Sequence, residues 1–513
     1  MSAFRRTLGA RADLEQQRKL AKELLAAFRR GDAEARARIR AELPDKERIV
    51  LADAQFVLAR EYGFPSWSAL KDRIATLAAE RLTPLQLFRL AVRDRDAAAL
   101  RRLVPLRAEL GDAVNAPSFA FDSPALVAVA GDGDVDLVDA LLALGADPNR
   151  RSSWWAGGFH PLYAATGAVG ERLLDAGAIP DACAAAQLDR SDLLAAMLAE
   201  DPSRVHERGG DGQTPLHFAR SRRVADMLLD AGADIDAVDL DHRSTPAEWM
   251  LGDADDPARS RLELAKYLVE RGARTDIFLA AALGLTSKVR EMLEADPSLL
   301  ALRTSQGEYA EKPPSSYHIY QWVLGPSLTP LHVAAHFNHP ETVEVMRRYA
   351  SPVQRLLLAC HEGNEAEART IVEAQPGIVE SLIGADRRAL TDEAWIANAR
   401  AVELMLDLGF DPAAESVTGP TGGTALHCAA WEGSAACVAA LLRYPSGRAL
   451  IERRDSTYHG TPLAWCSHGS RNCGNRQADH AEVARLLLEA GARPNPDMEP
   501  SEAVQAVLDQ YLP

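Results

Sequence analysis

Two short phrases alternate in fixed order along most of this 513-residue chain. The first is Thr214-Pro215-Leu216-His217, repeated at Thr329-Pro330-Leu331-His332 and varied at His160-Pro161-Leu162-Tyr163, Thr245-Pro246-Ala247-Glu248, Thr424-Ala425-Leu426-His427 and Thr461-Pro462-Leu463-Ala464. The second runs through Leu141-Leu142 to Gly145-Ala146, and returns at Gly177-Ala178, Gly232-Ala233, Gly272-Ala273 and Gly491-Ala492. Thr before Pro caps a helix and places Pro in its first turn, where an N–H is not needed. Gly after a Leu-rich run ends a second helix by turning left-handed. Each unit is therefore a pair of short helices. One pair has too little apolar surface for a core of its own and must stack on its neighbours.

Opener and closer together resemble the ankyrin repeat. The resemblance covers residues 84–495 and implies an all-α solenoid of about eleven partly degenerate helix-turn-helix repeats with β-hairpin fingers, each of roughly 33 residues. The closing glycines are unevenly spaced. A second ending, Asp-Pro-Ser at Asp201–Ser203 and again at Asp296–Ser298, accounts for the longer gaps. Two stretches do not follow the repeat and are expected to be insertions, 306–328 and 467–479; the first reads equally as an enlarged finger closing over the groove or as a hairpin packed onto neighbouring units. The units opening at His160 and Thr214 are short between helices, which predicts a truncated first helix or a tight turn between the helices.

Residues 1–80 lack the repeat. Their pattern predicts helices over 13–30, 32–43, 51–62 and 67–80, with Ser66 as a cap and Phe64 and Trp67 as core anchors. The stretch Ala52–Trp67 resembles a small helical module that precedes ankyrin arrays in bacterial proteins. Residues 500–513 are expected to form a C-terminal capping helix after a proline-rich break.

Acidic residues number 73 against 57 basic ones, for a net charge of −16. The first eighty residues are net basic and the rest carries the whole acidic excess, which argues against a nucleic-acid partner. Six cysteines without CxxC spacing do not make a disulfide scaffold. No apolar leader follows Met1, and no apolar run is long enough to cross a bilayer. A cytoplasmic protein without a membrane association is expected.

Two clusters have ligand types suited to a metal. His332, His336 and His339 fall at helical spacing with His318 nearby, and Cys466, His468, Cys473 and His480 surround the second insertion. The repeat absorbs most of both. The resemblance implies that His332 hydrogen-bonds locally, that His339 and His480 begin second helices, and that Cys466 fills a small buried position. No nucleophile elbow, phosphate loop, dinucleotide fingerprint or HExxH is present. The sequence thus assigns no catalytic residue, metal or cofactor, and an enzyme is the less favoured reading.

In ankyrin arrays the fingers and first-helix ends line a groove. Aromatic residues at those places are the candidate binding residues: Trp154, Trp155, Phe159, Tyr317, His318, Tyr320, Trp322, His336, Phe337, Trp431, Tyr458 and His459. Large, stiff rings suit hot spots. The favoured function is a protein-binding module whose acidic, aromatic groove takes a basic or extended protein segment. The alternative is an enzyme or small-molecule binder with a pocket beside His332 and His336, roofed by Tyr320 and Trp322 on a strand within 306–328, with Glu308 and Glu311 available for acid–base work.

Overall fold

The computed structural model describes residues 4–9, 12–46, 48–79, 82–252, 260–325, 327–416, 422–473, 475, 477–495, 498 and 500–511. Parts of both insertions and of the C-terminal segment expected at 500–513 lie outside these residues, namely 326, 474, 476, 512 and 513. The chain divides into two units, 1–150 and 151–513.

The first unit begins with helices Leu14–Arg29, Ala33–Glu42, Leu51–Glu61 and Trp67–Ala79. Ala21, Leu24, Ile39, Ala54, Val57 and Leu58 form a core among the first three. Phe64 and Trp67 pack against a smaller cluster with Leu70 and Ile74. Ser66 Oγ accepts from the Ala69 N–H at 3.2 Å and starts the fourth helix. Glu61 is buried, and its carboxylate is neutralised by a two-pronged Arg38 contact at 2.8 and 2.9 Å and by Arg6 at 2.9 Å. Such pairing is the condition for burying a carboxylate. Helix pairs Pro84–Arg93 with Ala97–Leu103, and Ala125–Val129 with Val135–Leu144, complete the unit.

In the second unit the pairs follow one another. They include Pro215–Phe218 with Arg222–Asp230, Ile277–Ala282 with Thr286–Ala295, Pro330–His336 with Pro340–Arg347, Pro352–His361 with Glu365–Ala374, Ala389–Trp395 with Ala399–Asp407, Ala425–Trp431 with Ala435–Arg443, and Pro462–Asn472 with His480–Glu489. A continuous core runs through the last of these, from Leu356 through Leu390, Leu426 and Leu441 to Leu487 and Val504. The array is all-α, and stacking makes its core. The first helix is a single turn at Pro161–Tyr163 and at Pro215–Phe218. Gly232, at φ +96°, closes its helix, and Ala233 N–H reaches back to the Leu228 carbonyl at 2.9 Å.

The opening histidines join one unit to the next. Thr214 N–H donates to His217 Nδ1 at 3.1 Å, so Nε2 carries the proton and donates to the Ser244 carbonyl, 3.1 Å away, just before the next opener. His427 repeats this with Thr424 N–H at 3.2 Å and the Gly460 carbonyl at 3.2 Å.

The fingers differ from expectation. Among the described residues they hold no strand, only isolated bridges such as Lys312 with Ser315. Aspartates replace the cross-strand ladder. Asp239 accepts from the N–H groups of His242 (2.5 Å) and Ser244 (2.9 Å) and from Trp249 Nε1 (2.9 Å).

Burial pushes His217 down to about 4, because an imidazolium there would lose water. A depressed histidine contributes stability that is complete above its ordinary pKa of about 6.5 and fades as pH falls toward the folded value. We expect His217→Gln to be destabilising at pH 7.5. The deficit should shrink as pH drops to 5, by up to about 1.4 kcal/mol per pH unit, because only the wild type titrates. Urea midpoints of both proteins at three pH values check this; a pH-independent gap would refute it.

Candidate binding site

First helices end in rings at one register. His336, His361, Trp395 and Trp431 each close the first helix of successive pairs. His468 stands in the following first helix, seven residues after its Thr461, as His336 stands seven after Thr329. Three of these rings lie against one another. Trp395 and Trp431 stack with centroids 6.4 Å apart and planes 19° apart, and His468 tilts over Trp431 at 5.3 Å.

Beside this line lies a pocket of about 340 Å³ walled by Trp431, Tyr458, Gly460, Ala464, Trp465 and His468. Its geometry is set by Asp455. That carboxylate accepts from the N–H groups of Thr457 (2.9 Å), Tyr458 and Gly460 (2.7 Å), and from Trp465 Nε1 (2.9 Å). Burial opposes the charge, but these donors outweigh it and hold Asp455 below the usual carboxylate range. Trp465 is thereby fixed edge-on to Trp431 at 6.3 Å and to Tyr458 at 6.4 Å. Tyr458 is 66% exposed and forms the outer wall. The result is an aromatic recess with a fixed anion behind one wall.

The other expected residues fall into separate places. His459, next to Tyr458, sits at φ +57° with its carbonyl taken by Arg454 at 2.6 Å. Trp154 donates Nε1 to Asp211 at 2.9 Å, and Trp155 beside it is exposed. Phe159 packs into the neighbouring finger, where a Cβ on Gly210 would come within 2.3 Å of its ring. Gly157, at φ +140°, allows this approach: a Cβ there would sit 2.3 Å from the Gly209 carbonyl oxygen. His336 is exposed against Phe337, centroids 5.1 Å apart.

The insertion at 306–328 is packing rather than a roof. The stretch expected as a strand holds a helical turn, Tyr320–Val323, so His318 and Tyr320 point inward while Trp322 is 62% exposed. His242 Nδ1 lies 2.8 Å from the Tyr317 carbonyl, Arg243 donates to the Ala310 carbonyl at 2.8 Å, and Ser316 N–H donates to Asp241 at 3.1 Å. Tyr309 and Tyr320 both donate to the half-buried Asp276 carboxylate, at 2.8 and 2.9 Å. His318 Nε2 faces Glu248 at 3.5 Å. The recess that His332 borders is lined by Arg303, Thr329, Ser351, Gln354, Asp386 and neighbours, with no wall from the described residues of the insertion.

The metal-like groups of the sequence disperse. His339 Nε2 meets the Ala282 carbonyl at 3.0 Å and His480 Nε2 the Trp431 carbonyl at 2.8 Å. Cys466 is buried against the His480 carbonyl, and burial pushes its thiol up, away from the thiolate a metal would need. Cys473 lies by Glu432 at 3.6 Å.

Sequence reasoning missed Trp395 and Trp465. Trp395 sits behind Arg388, where other units have Thr, so its unit shows no opener. Trp465 directly follows the opener Thr461–Ala464. A recurring Asp ten residues before Trp, at Asp239–Trp249 and Asp455–Trp465, is the signal that marks it.

Comparison with known proteins agrees with the repeat. The family model "Ankyrin repeat" matches residues 211–240, 328–355 and 421–456. Ankyrin repeats are therefore present in the chain. No curated protein matches it. Among solved structures, the ankyrin repeat domain of Bcl-3, described as a unique member of the IkappaB protein family, aligns at 19% identity over 46% of this chain and 98% of that one, with a TM-score of 0.27. No helix among the described residues is long and apolar enough to cross a membrane.

The two pocket tryptophans should separate in a stability assay. Trp465 is 5% exposed, and Trp465→Ala should cost about 3–5 kcal/mol in urea denaturation. Trp431→Ala, at a half-buried ring, should cost less than about half of that. Equal losses would mean that Trp431 is a core residue.

Proposed function

We propose that the protein is a binding module for an extended, basic protein segment, held along the line Trp395–Trp431–His468 with one cationic side chain in the Trp431–Tyr458–Trp465–His468 pocket. Ankyrin repeats are generally protein-interaction modules. The observation that carries the finer reading is the pocket itself: four rings in fixed, different orientations around about 340 Å³, with the ionised Asp455 hydrogen-bonded to one of them. Ring faces attract Lys or Arg heads, more strongly once water is displaced. A carboxylate accepting from the indole N–H adds electron density to that ring. The acidic excess of the chain favours the same partner. Of the remaining sequence candidates, Trp155, Trp322, His336, Phe337 and His459 are secondary contact positions in this reading. Trp154, Phe159, Tyr317, His318 and Tyr320 act by holding fingers in place.

Arrays of extended peptides matched in length and apolar content, with Lys/Arg or Asp/Glu at alternate positions, provide the test. Basic peptides should bind, with affinity falling as salt rises. Trp431→Ala and Tyr458→Ala should each weaken them at least tenfold, whereas Trp155→Ala should change affinity less than twofold. Equal binding of acidic peptides, or indifference to both pocket substitutions, would sink the proposal.

A further inference from the structure

His332 breaks the rule that its sister histidines obey. His217 and His427 spend Nε2 on the carbonyl just before the next opener, that of Ser244 or Gly460. After His332 the next unit opens at Ser351-Pro352, directly behind helix Pro340–Arg347 and without a finger to supply that carbonyl. Among the described residues, only Nδ1 of His332 is hydrogen-bonded, to Thr329 Oγ1 at 2.7 Å. With no acceptor for an Nε2–H, the favoured tautomer donates from Nδ1 to Thr329 and leaves a lone pair on Nε2.

The missing carbonyl is replaced by two side chains from the next two units. His361 places its ring 5.3 Å from that of His332, with the planes 81° apart. Its Nδ1 lies 2.9 Å from Glu393 Oε1. Asn398 aims that carboxylate, donating to Glu393 Oε2 at 2.7 Å and to the His361 carbonyl at 2.9 Å. One ligand atom from each of His332, His361 and Glu393 lies within 4.8 Å of the others. We propose that these three residues bind one divalent transition-metal ion, zinc or a zinc-like cation, with water as the fourth ligand.

Geometry, donor chemistry and access agree. Two imidazoles held at about 2.0–2.1 Å by one tetrahedral ion place their ring centres a little over ~5 Å apart, as here. Ligand atoms around such an ion are roughly 3.4 Å apart, so groups within 4.8 Å of one another close by at most about 1.4 Å. Two neutral imidazoles with one carboxylate are a zinc-type donor set. Thr329 and Asn398 are the outer hydrogen-bond partners that orient such ligands. His332 borders an open recess of about 500 Å³, which gives an ion access to that ligand. Both imidazoles must be unprotonated at the ligating nitrogen, so affinity rises with pH. The site is independent of the peptide-binding reading, since it uses none of the same residues.

Calorimetric titration of the full chain with Zn²⁺, and visible absorption with Co²⁺, test it. One equivalent should bind. His361→Ala, His332→Gln and Glu393→Gln should each weaken binding at least tenfold while far-ultraviolet circular dichroism is retained. His468→Ala and Cys473→Ser, at the other ligand-rich place, should leave it unchanged. If one variant fails to fold, the remaining two decide. No stoichiometric uptake of either ion, or uptake that survives His361→Ala or follows Cys473→Ser, would overturn the site.

Discussion

No unit of this array has a core of its own, so each buried polar group at a unit's edge must be satisfied by the unit beside it. That single requirement explains most of the hydrogen bonding. Unpaired buried donors and acceptors are costly, more so than the modest net gain from pairing them. The opening histidines His217 and His427 meet the carbonyl ahead of the next opener, and the second-helix histidines His339 and His480 meet a carbonyl of the unit before. Histidine suits the task because one ring nitrogen accepts while the other donates. Burial pushes His217 and His427 down, which keeps those two rings neutral and preserves that division.

The fingers obey the same requirement by other means. A two-stranded ladder would satisfy backbone groups with backbone groups. Here Asp239 and Asp455 satisfy them with carboxylates, and each uses a spare lone pair to hold an indole N–H ten residues on. One residue thus shapes a loop and orients a ring. Asp211 holds Trp154 in the same way, at a higher electrostatic cost: burial pushes its carboxyl up to about 7, with Asp241 and Asp239 nearby. Rings pinned through their nitrogen lose little freedom on meeting a ligand, which is what a recognition surface needs.

What was legible in the sequence follows from range. Thr-Pro-Leu-His and Leu-Leu-x-x-Gly-Ala are local signals, and the helices they announce form at those positions. The truncated helices after His160 and Thr214 were visible for the same reason. The insertion at 306–328 was not, because its conformation is dictated by Asp241, His242, Arg243 and Asp276, which lie tens of residues earlier. An alternation that suggests a strand is overridden when Tyr320 must reach Asp276. Trp395 was invisible because a unit that opens on Arg388 carries no phrase to count from, although its ring stacks on Trp431.

The register shared by His336, His361, Trp395, Trp431 and His468 shows how one backbone position can carry two chemistries. Stacking repeats every unit, so side chains at this position come within reach of their counterparts two helices away. Where neighbouring units both place large apolar rings there, dispersion and ring electrostatics decide, and the result is the Trp395–Trp431 stack. Where the preceding unit offers His332 and the following one Glu393, the imidazole of His361 turns to them instead, and a polar cluster forms. The fold sets the spacing and not the chemistry. Whether a histidine keeps an open ring nitrogen is therefore decided unit by unit, by whether the neighbouring finger is present to take it up.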